Sequence, residues 1–214
     1  MRALLLICGM LVLLFDLSAQ EITPPVSISK PPPVGIIHFI SKVNLASVGW
    51  LMAKVSEFQQ QGITEINILL LSAGGDTDAG IAGYNYLTSL PLTLNTYNLA
   101  DTSSAAAYLF CAGTRRFAYP RAKFLLHGAK THFTEAISFD ELTLEHQQSQ
   151  LRHDSTAEIL TACLNATPSE IAQILKTGAL FSSATALKAG LIEGIVNTSP
   201  SPVNNAVFTI KDVD

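Results

Sequence analysis

Apolar positions along this chain follow two rhythms. Residues 35–41 (GIIHFIS) form a short β-branched and aromatic run, which predicts a strand. Leu45, Val48, Leu51, Met52, Val55 and Phe58 then recur at helical spacing, and Gly62 is a plausible stop. Residues 66–71 are an almost uninterrupted apolar run, as in a parallel strand covered on both faces. Ile81, Tyr84 and Leu87 mark a second helix, residues 92–98 a third strand, and residues 104–112 a third, apolar helix. Two short strands follow at 116–119 and 123–126, separated by Pro120.

The pattern changes over residues 139–164. Leu142, Leu160 and Leu164 fit a helix, but residues 145–154 are strongly polar. A long helix with a solvated middle reads as an arm projecting from the core. Residues 169–175 and 184–191 predict two more helices, the second ending at Gly190, and 192–196 a last strand. Pro200 and Pro202 open a C-terminal tail, residues 198–214. Strands alternating with helices imply right-handed crossovers and a mostly parallel sheet, an α/β fold. Such sheets bind ligands at the carboxyl ends of their strands.

The chain has 214 residues, which suits one domain with a sizeable core. Only 14% are charged and 48% are hydrophobic, which argues against disorder and for extensive burial or oligomerisation. The net charge of −4 gives no basic footprint for nucleic acid. Arg2, the predominantly apolar stretch 3–17 and the small residues Ser18 and Ala19 read as an export signal, residues 1–19. A permanent N-terminal membrane anchor is the alternative, though it usually needs about twenty apolar residues. Residues 20–34 carry Pro24, Pro25, Pro31, Pro32 and Pro33 and read as a linker. The folded domain is expected over 35–197. Two cysteines remain after signal removal. Cys111, in an apolar run, reads as a small buried hydrophobe, although an oxidising compartment would permit a disulfide with Cys163.

Candidate chemistry lies in three segments, each at or just beyond a predicted strand end. Ser72-Ala73-Gly74-Gly75 follows a buried strand, and two glycines there let the backbone turn sharply and expose N–H groups to a developing oxyanion. A strand-to-helix junction carries Ser103 and Ser104, where a serine meets free N–H groups and the positive end of a helix dipole. The local pattern does not separate the two serines, and either is also an ordinary N-cap type. His127 ends the apolar strand Phe124-Leu125-Leu126, pointing into the same crevice, and histidine is the residue type whose ordinary titration range suits a general base.

These segments give the chain from Ile36 to about Val196 a specific resemblance. It resembles the proteolytic subunit of the Clp protease family, within the Clp/crotonase-like fold of repeated ββα/βαβ units with a protruding handle helix. Ser72-Ala73-Gly74-Gly75 is similar to the family's Ser-Pro-Gly-Gly turn, and the segment from Asp101 to Ala107 to the one holding its nucleophile. The resemblance implies Ser104 as nucleophile, His127 as base, and the N–H groups of Gly75 and Ala105 as oxyanion hole. It implies peptide or unfolded-protein substrates, no metal or cofactor, and a homo-oligomer paired through the handle helix at 139–164.

Two departures stand out. The family's triad aspartate precedes the closing helix, similar here to residues 183–191, but the corresponding stretch, residues 176–181, holds no carboxylate, and Gly178 falls nearest the expected place. Asp101 and Glu170 are candidate substitutes. The export signal is the second departure: an exported relative would lack an ATP-driven unfoldase partner and would cleave peptides without ATP. Two other functions compete with a serine peptidase: a catalytically decayed oligomeric scaffold or peptide-binding protein, and a crotonase-like acyl-CoA enzyme. The last predicts an adenine-nucleotide site and active-site carboxylates after a glycine-rich turn, motifs not seen here.

Overall fold

The computed structural model describes residues 33–130, 136–201 and 206–211. The signal, 1–19, and nearly all of the linker, 20–34, lie outside the described residues.

Strand β1, Val34–Ile40, buries Ile36, Ile37 and Phe39. Helix α1, Leu45–Gln60, begins in a reciprocal cap: the Ser47 N–H donates to Asn44 Oδ1 at 2.8 Å, and the Asn44 N–H to Ser47 Oγ at 3.0 Å. The cap satisfies backbone donors that a helix start leaves without partners. Val48, Leu51, Val55 and Phe58 are buried as their spacing predicts. Leu45 is instead 78% exposed, because it sits roughly a quarter turn from the centre of that stripe.

Strand β2, Glu65–Ser72, lies between β1 and β3, Thr93–Ser103, parallel to both. With neighbours on both edges and layers on both faces, it is buried from Ile66 through Leu70. Helix α2, Thr77–Thr88, starts where the Asp76 carboxylate accepts the Ala79 N–H at 2.7 Å. Helix α3, Ala105–Cys111, leaves the end of β3 and is buried along its whole length. It packs against α2 at Gly80 and Gly83, where an added Cβ would crowd Tyr108 and Leu109.

Strand β3 positions the site by serving two neighbours in turn. Its residues Asn95 to Asn98 pair with β4, Arg115–Ala118, and Asp101 to Ser103 with β5, Lys123–Leu126. Both pairings are parallel, and the register against β2 slips between Leu70 and Ser72. The ends of β2, β3 and β5 therefore come together, with the three candidate segments just beyond them.

Helix α4, Phe139–Cys163, runs unbroken for 25 residues, capped by Ser138 and Glu141. Its buried residues, Thr156, Ile159, Leu160 and Cys163, all lie in its last third, while Phe139, Leu142, Leu144 and Leu151 are exposed. This is the arm that the polar stretch predicts. Helix α5, Pro168–Thr177, strand β6, Ala179–Ser182, helix α6, Ser183–Lys188, and the short strand β7, Gly194–Ile195, follow. Strand β6 pairs antiparallel with β5, whereas β7 joins β4 in parallel. The tail expected over 198–214 is only partly a tail: Val207–Lys211 form strand β8, parallel to β1 at the sheet's edge. The main path through this largely parallel sheet is β6-β5-β3-β2-β1-β8, with β4 and β7 branching from β3.

Cys111 is buried, but not as a lone hydrophobe. It forms a disulfide with Cys163, joining the C-terminal ends of α3 and α4. Nearby, the Tyr108 hydroxyl meets Thr156 Oγ1 at 3.0 Å, and Thr156 in turn donates to the Arg152 carbonyl at 2.8 Å. Burial pushes the Tyr108 phenol above its ordinary pKa, while its bond to Thr156 opposes the shift.

Candidate active site

Ser104 occupies the step between β3 and α3. Its backbone has φ 54° and ψ −130°, and no other non-glycine residue among those described has a positive φ. Such a conformation costs of order 1–3 kcal/mol and persists only where the surroundings impose it. Here the Ser104 N–H donates to the Leu125 carbonyl at 2.7 Å, and its own carbonyl accepts the Ala107 N–H at 2.9 Å. The side chain makes no capping bond, and its hydroxyl has no hydrogen-bond partner among the described residues. Ser103 differs: it is buried, and its hydroxyl donates to the Asp101 carboxylate.

The glycine turn lies against this serine. A Cβ on Gly74 would come within 2.6 Å of both the Ser103 carbonyl oxygen and Ser104 Cβ, and 3.0 Å of the Ala105 nitrogen. Gly74 has φ 93° and Gly75 φ 152°. A Cβ on Gly75 would overlap the Val43 carbonyl. Val43 bonds on either side of Gly75, its N–H to the Gly74 carbonyl at 2.9 Å and its carbonyl to the Asp76 N–H at 2.8 Å. In extended chain, neighbouring amides alternate sides, so the Gly75 N–H faces away from Val43. Ala105 opens α3, so its N–H has no acceptor within the helix. Neither the Gly75 N–H nor the Ala105 N–H, next to the strained serine, has a backbone acceptor among the described residues.

His127 follows the last residue of β5. Its Nδ1 lies 2.6 Å from the carbonyl oxygen of Gly128. No hydrogen bond joins it to Ser104 among the described residues; apo sites often show catalytic bonds long or unmade. The β5–β6 register pairs Leu126 with Ala179, which sets His127 across from Gly178. A Cβ on Gly178 would lie 3.7 Å from His127 Cβ.

Gly178 is occupied in another way. It caps α5, donating its N–H to the Ile174 carbonyl at 2.8 Å, with φ 77° and ψ 154°. That region is essentially restricted to glycine. The two substitute acids are engaged elsewhere. Asp101 pairs with Lys123 Nζ at 3.1 Å and accepts from Ser103. Glu170 caps α5, accepting from the Thr167 N–H and Oγ1, both at 2.7 Å. Sequence reasoning missed two contributors, the steric role of Gly74 and the Gly128 carbonyl. The Gly-Gly pair signals the first; nothing in the sequence signals the second, which is a backbone atom.

Beyond Gly75 a cleft of about 220 Å3 is bordered by Asp76, Asp78, Lys130, Glu145 and Arg152. Arg152 bridges two acids, reaching both Asp78 oxygens at 3.1 Å and Glu145 at 3.0 Å, which ties α4 to α2. The cleft walls are therefore charged and largely paired.

On this parallel α/β scaffold, a strained serine with an unpaired hydroxyl stands at a strand-to-helix step against the Gly74 turn, and the strand paired beside it, β5, leads into His127. Residues 34–199 match the Clp protease family, and the chain belongs to it. The chain is similar to the ATP-dependent Clp protease proteolytic subunit 4 of Rhodococcus jostii, at 29% identity over 134 residues, covering 62% of this chain and 68% of that one. It is 25% identical to proteolytic subunit 1 of Chlamydia felis over 154 residues, 71% of this chain and 73% of the relative. Proteolytic subunit 2 of Corynebacterium glutamicum is 22% identical over 143 residues, 66% and 70% of the two chains. The homology is distant.

Proposed function

We propose that this protein is a serine peptidase that cleaves peptides or unfolded protein without an ATPase partner, outside the reducing cytoplasm. Ser104 Oγ attacks the peptide carbonyl carbon, and His127 Nε2 takes its proton. The oxyanion accepts the N–H groups of Gly75 and Ala105. Collapse of the tetrahedral intermediate releases the amine, which receives the proton from His127, and water then hydrolyses the acyl-serine. The observation that carries this reading is the backbone of Ser104, held at φ 54° with its hydroxyl unpaired. An ordinary capping serine would need neither the strain nor the free hydroxyl.

The signal-like stretch at 1–19 and the Cys111–Cys163 disulfide support an oxidising, exported location. The exposed apolar residues Phe139, Leu142, Leu144 and Leu151 on α4 support assembly of several copies through this arm. The second reading is an inactive scaffold or peptide-binding protein, favoured by the glycine at 178. Fluorophosphonate labelling and peptide turnover in the absence of ATP decide between them. A peptidase takes up label and loses it in Ser104→Ala; an intact oligomer that neither labels nor turns over peptide is the scaffold.

A further inference from the structure

A histidine base works only in the right tautomer, with the lone pair on the nitrogen that faces the nucleophile. Something must therefore hold the proton on the other nitrogen. The Nδ1 of His127 is 2.6 Å from the Gly128 carbonyl oxygen. A carbonyl oxygen can only accept, so Nδ1 carries a proton, and in the neutral form of the ring the lone pair lies at Nε2.

That carbonyl is itself fixed. The Gly128 N–H donates to the Leu175 carbonyl at 3.1 Å, and a Cβ at 128 would lie 2.7 Å from the same oxygen. Only glycine lets this stretch come so close to α5. Leu175 is among the last residues of that helix, whose carbonyls have no intrahelical donor, so the bond satisfies a group the helix leaves open. The cavity of about 320 Å3 on this side of His127 is bordered by Lys130, Lys176 and Gly178 among others, and no carboxylate of the described residues lines it.

We propose that the backbone carbonyl of Gly128, anchored on Leu175, positions His127 and fixes its tautomer in place of a side-chain acid. This rests on the reading of His127 as the base. Gly128 is a positioning residue. It orients the ring but places no negative charge behind the imidazolium, and a neutral acceptor makes a bond about half as strong as an ionised one.

The test uses the full chain with Ala129 replaced by lactic acid. The resulting ester keeps every side chain, makes the Gly128 carbonyl a weaker acceptor, and removes only an N–H that donates to no backbone carbonyl among the described residues. The 15N shifts of His127 report the tautomer, and the rate of fluorophosphonate labelling reports Ser104. The expected result is a neutral His127 protonated mainly at Nδ1 in the natural chain. In the ester chain the balance moves toward Nε2–H and labelling slows by roughly 2–5-fold, the weakening of one ordinary hydrogen bond. A natural chain protonated mainly at Nε2 overturns the proposal, as does an ester chain with the same tautomer ratio and labelling rate. If neither chain labels but the tautomer still moves, the peptidase reading fails and the positioning by Gly128 stands.

Discussion

The hydroxyl of Ser103 donates to the carboxylate of Asp101, which also pairs with Lys123, whereas the adjacent hydroxyl of Ser104 is bonded to nothing among the described residues. One serine is committed to a carboxylate on its own strand, which in turn pairs with Lys123 of β5, and the hydroxyl of the other is left unpaired. Ser103→Ala is expected to keep fluorophosphonate labelling within about threefold while lowering stability by about 1–2 kcal/mol in urea unfolding, the loss of a hydrogen bond to a charged group. Ser104→Gly should do the reverse. It abolishes labelling and raises stability by about 1 kcal/mol, because glycine accepts this backbone without strain.

Placing an acid across from His127 should not simply supply a missing group. Gly178→Asp puts a side chain on a backbone at φ 77° and ψ 154° that also caps α5. The expected outcome is a loss of about 1–3 kcal/mol in stability and no gain in labelling rate. Thermal unfolding and labelling of the same sample check both halves.

The disulfide closes a loop with a sequence separation of 52 between α3 and α4. By the chain-entropy relation, a loop of that length contributes about 4 kcal/mol. Cys111→Ser combined with Cys163→Ser should lower the unfolding free energy measured in denaturant by that order, and reductant should lower that of the natural chain but not of the double variant. Because α3 begins beside Ser104, labelling of the reduced protein should also slow.

Two helix starts should respond to acid. The Glu170 carboxylate is held below the ordinary glutamate pKa, first by the Thr167 N–H and then by the Thr167 side chain; Glu141 is held down by Ser138 in the same way. A depressed folded value means the caps contribute fully above the ordinary glutamate range and lose that contribution as pH falls through the lower folded values. Hydrogen-exchange protection at the start of α4 and α5 should drop across that acidic window. Glu170→Gln should remove the pH dependence at α5 alone.

Much of this architecture is legible where a physical signal is long or repeated. The α1 stripe, the apolar run of β2 and the polar middle of α4 each carry many residues pointing to one answer. Leu45 shows the limit of periodicity, since a residue near the stripe's margin lands in solvent. Strands β6 and β8 were out of reach because four or five residues of mixed burial carry no pattern of their own. Their pairing is decided by the neighbours they meet. At the site, residue types led to the pair Ser103 and Ser104, to His127 and to the glycine turn, and only the family resemblance singled out Ser104. The Cys111–Cys163 contact, the commitment of Asp101 and Glu170 and the Gly128 carbonyl depend on distances between segments far apart in sequence.

Strand β8 bears on how the protein can be handled. Val207–Lys211 cover the outer side of β1, and Phe208 receives the Lys54 ammonium over its ring at 4.3 Å. A chain shortened to the end of its family match, residue 199, would keep every candidate catalytic group but leave β1 with a bare row of amides and carbonyls. Open strand edges of this kind template pairing between molecules. Truncation to the family-matched region would thus expose a sheet edge prone to edge-to-edge aggregation.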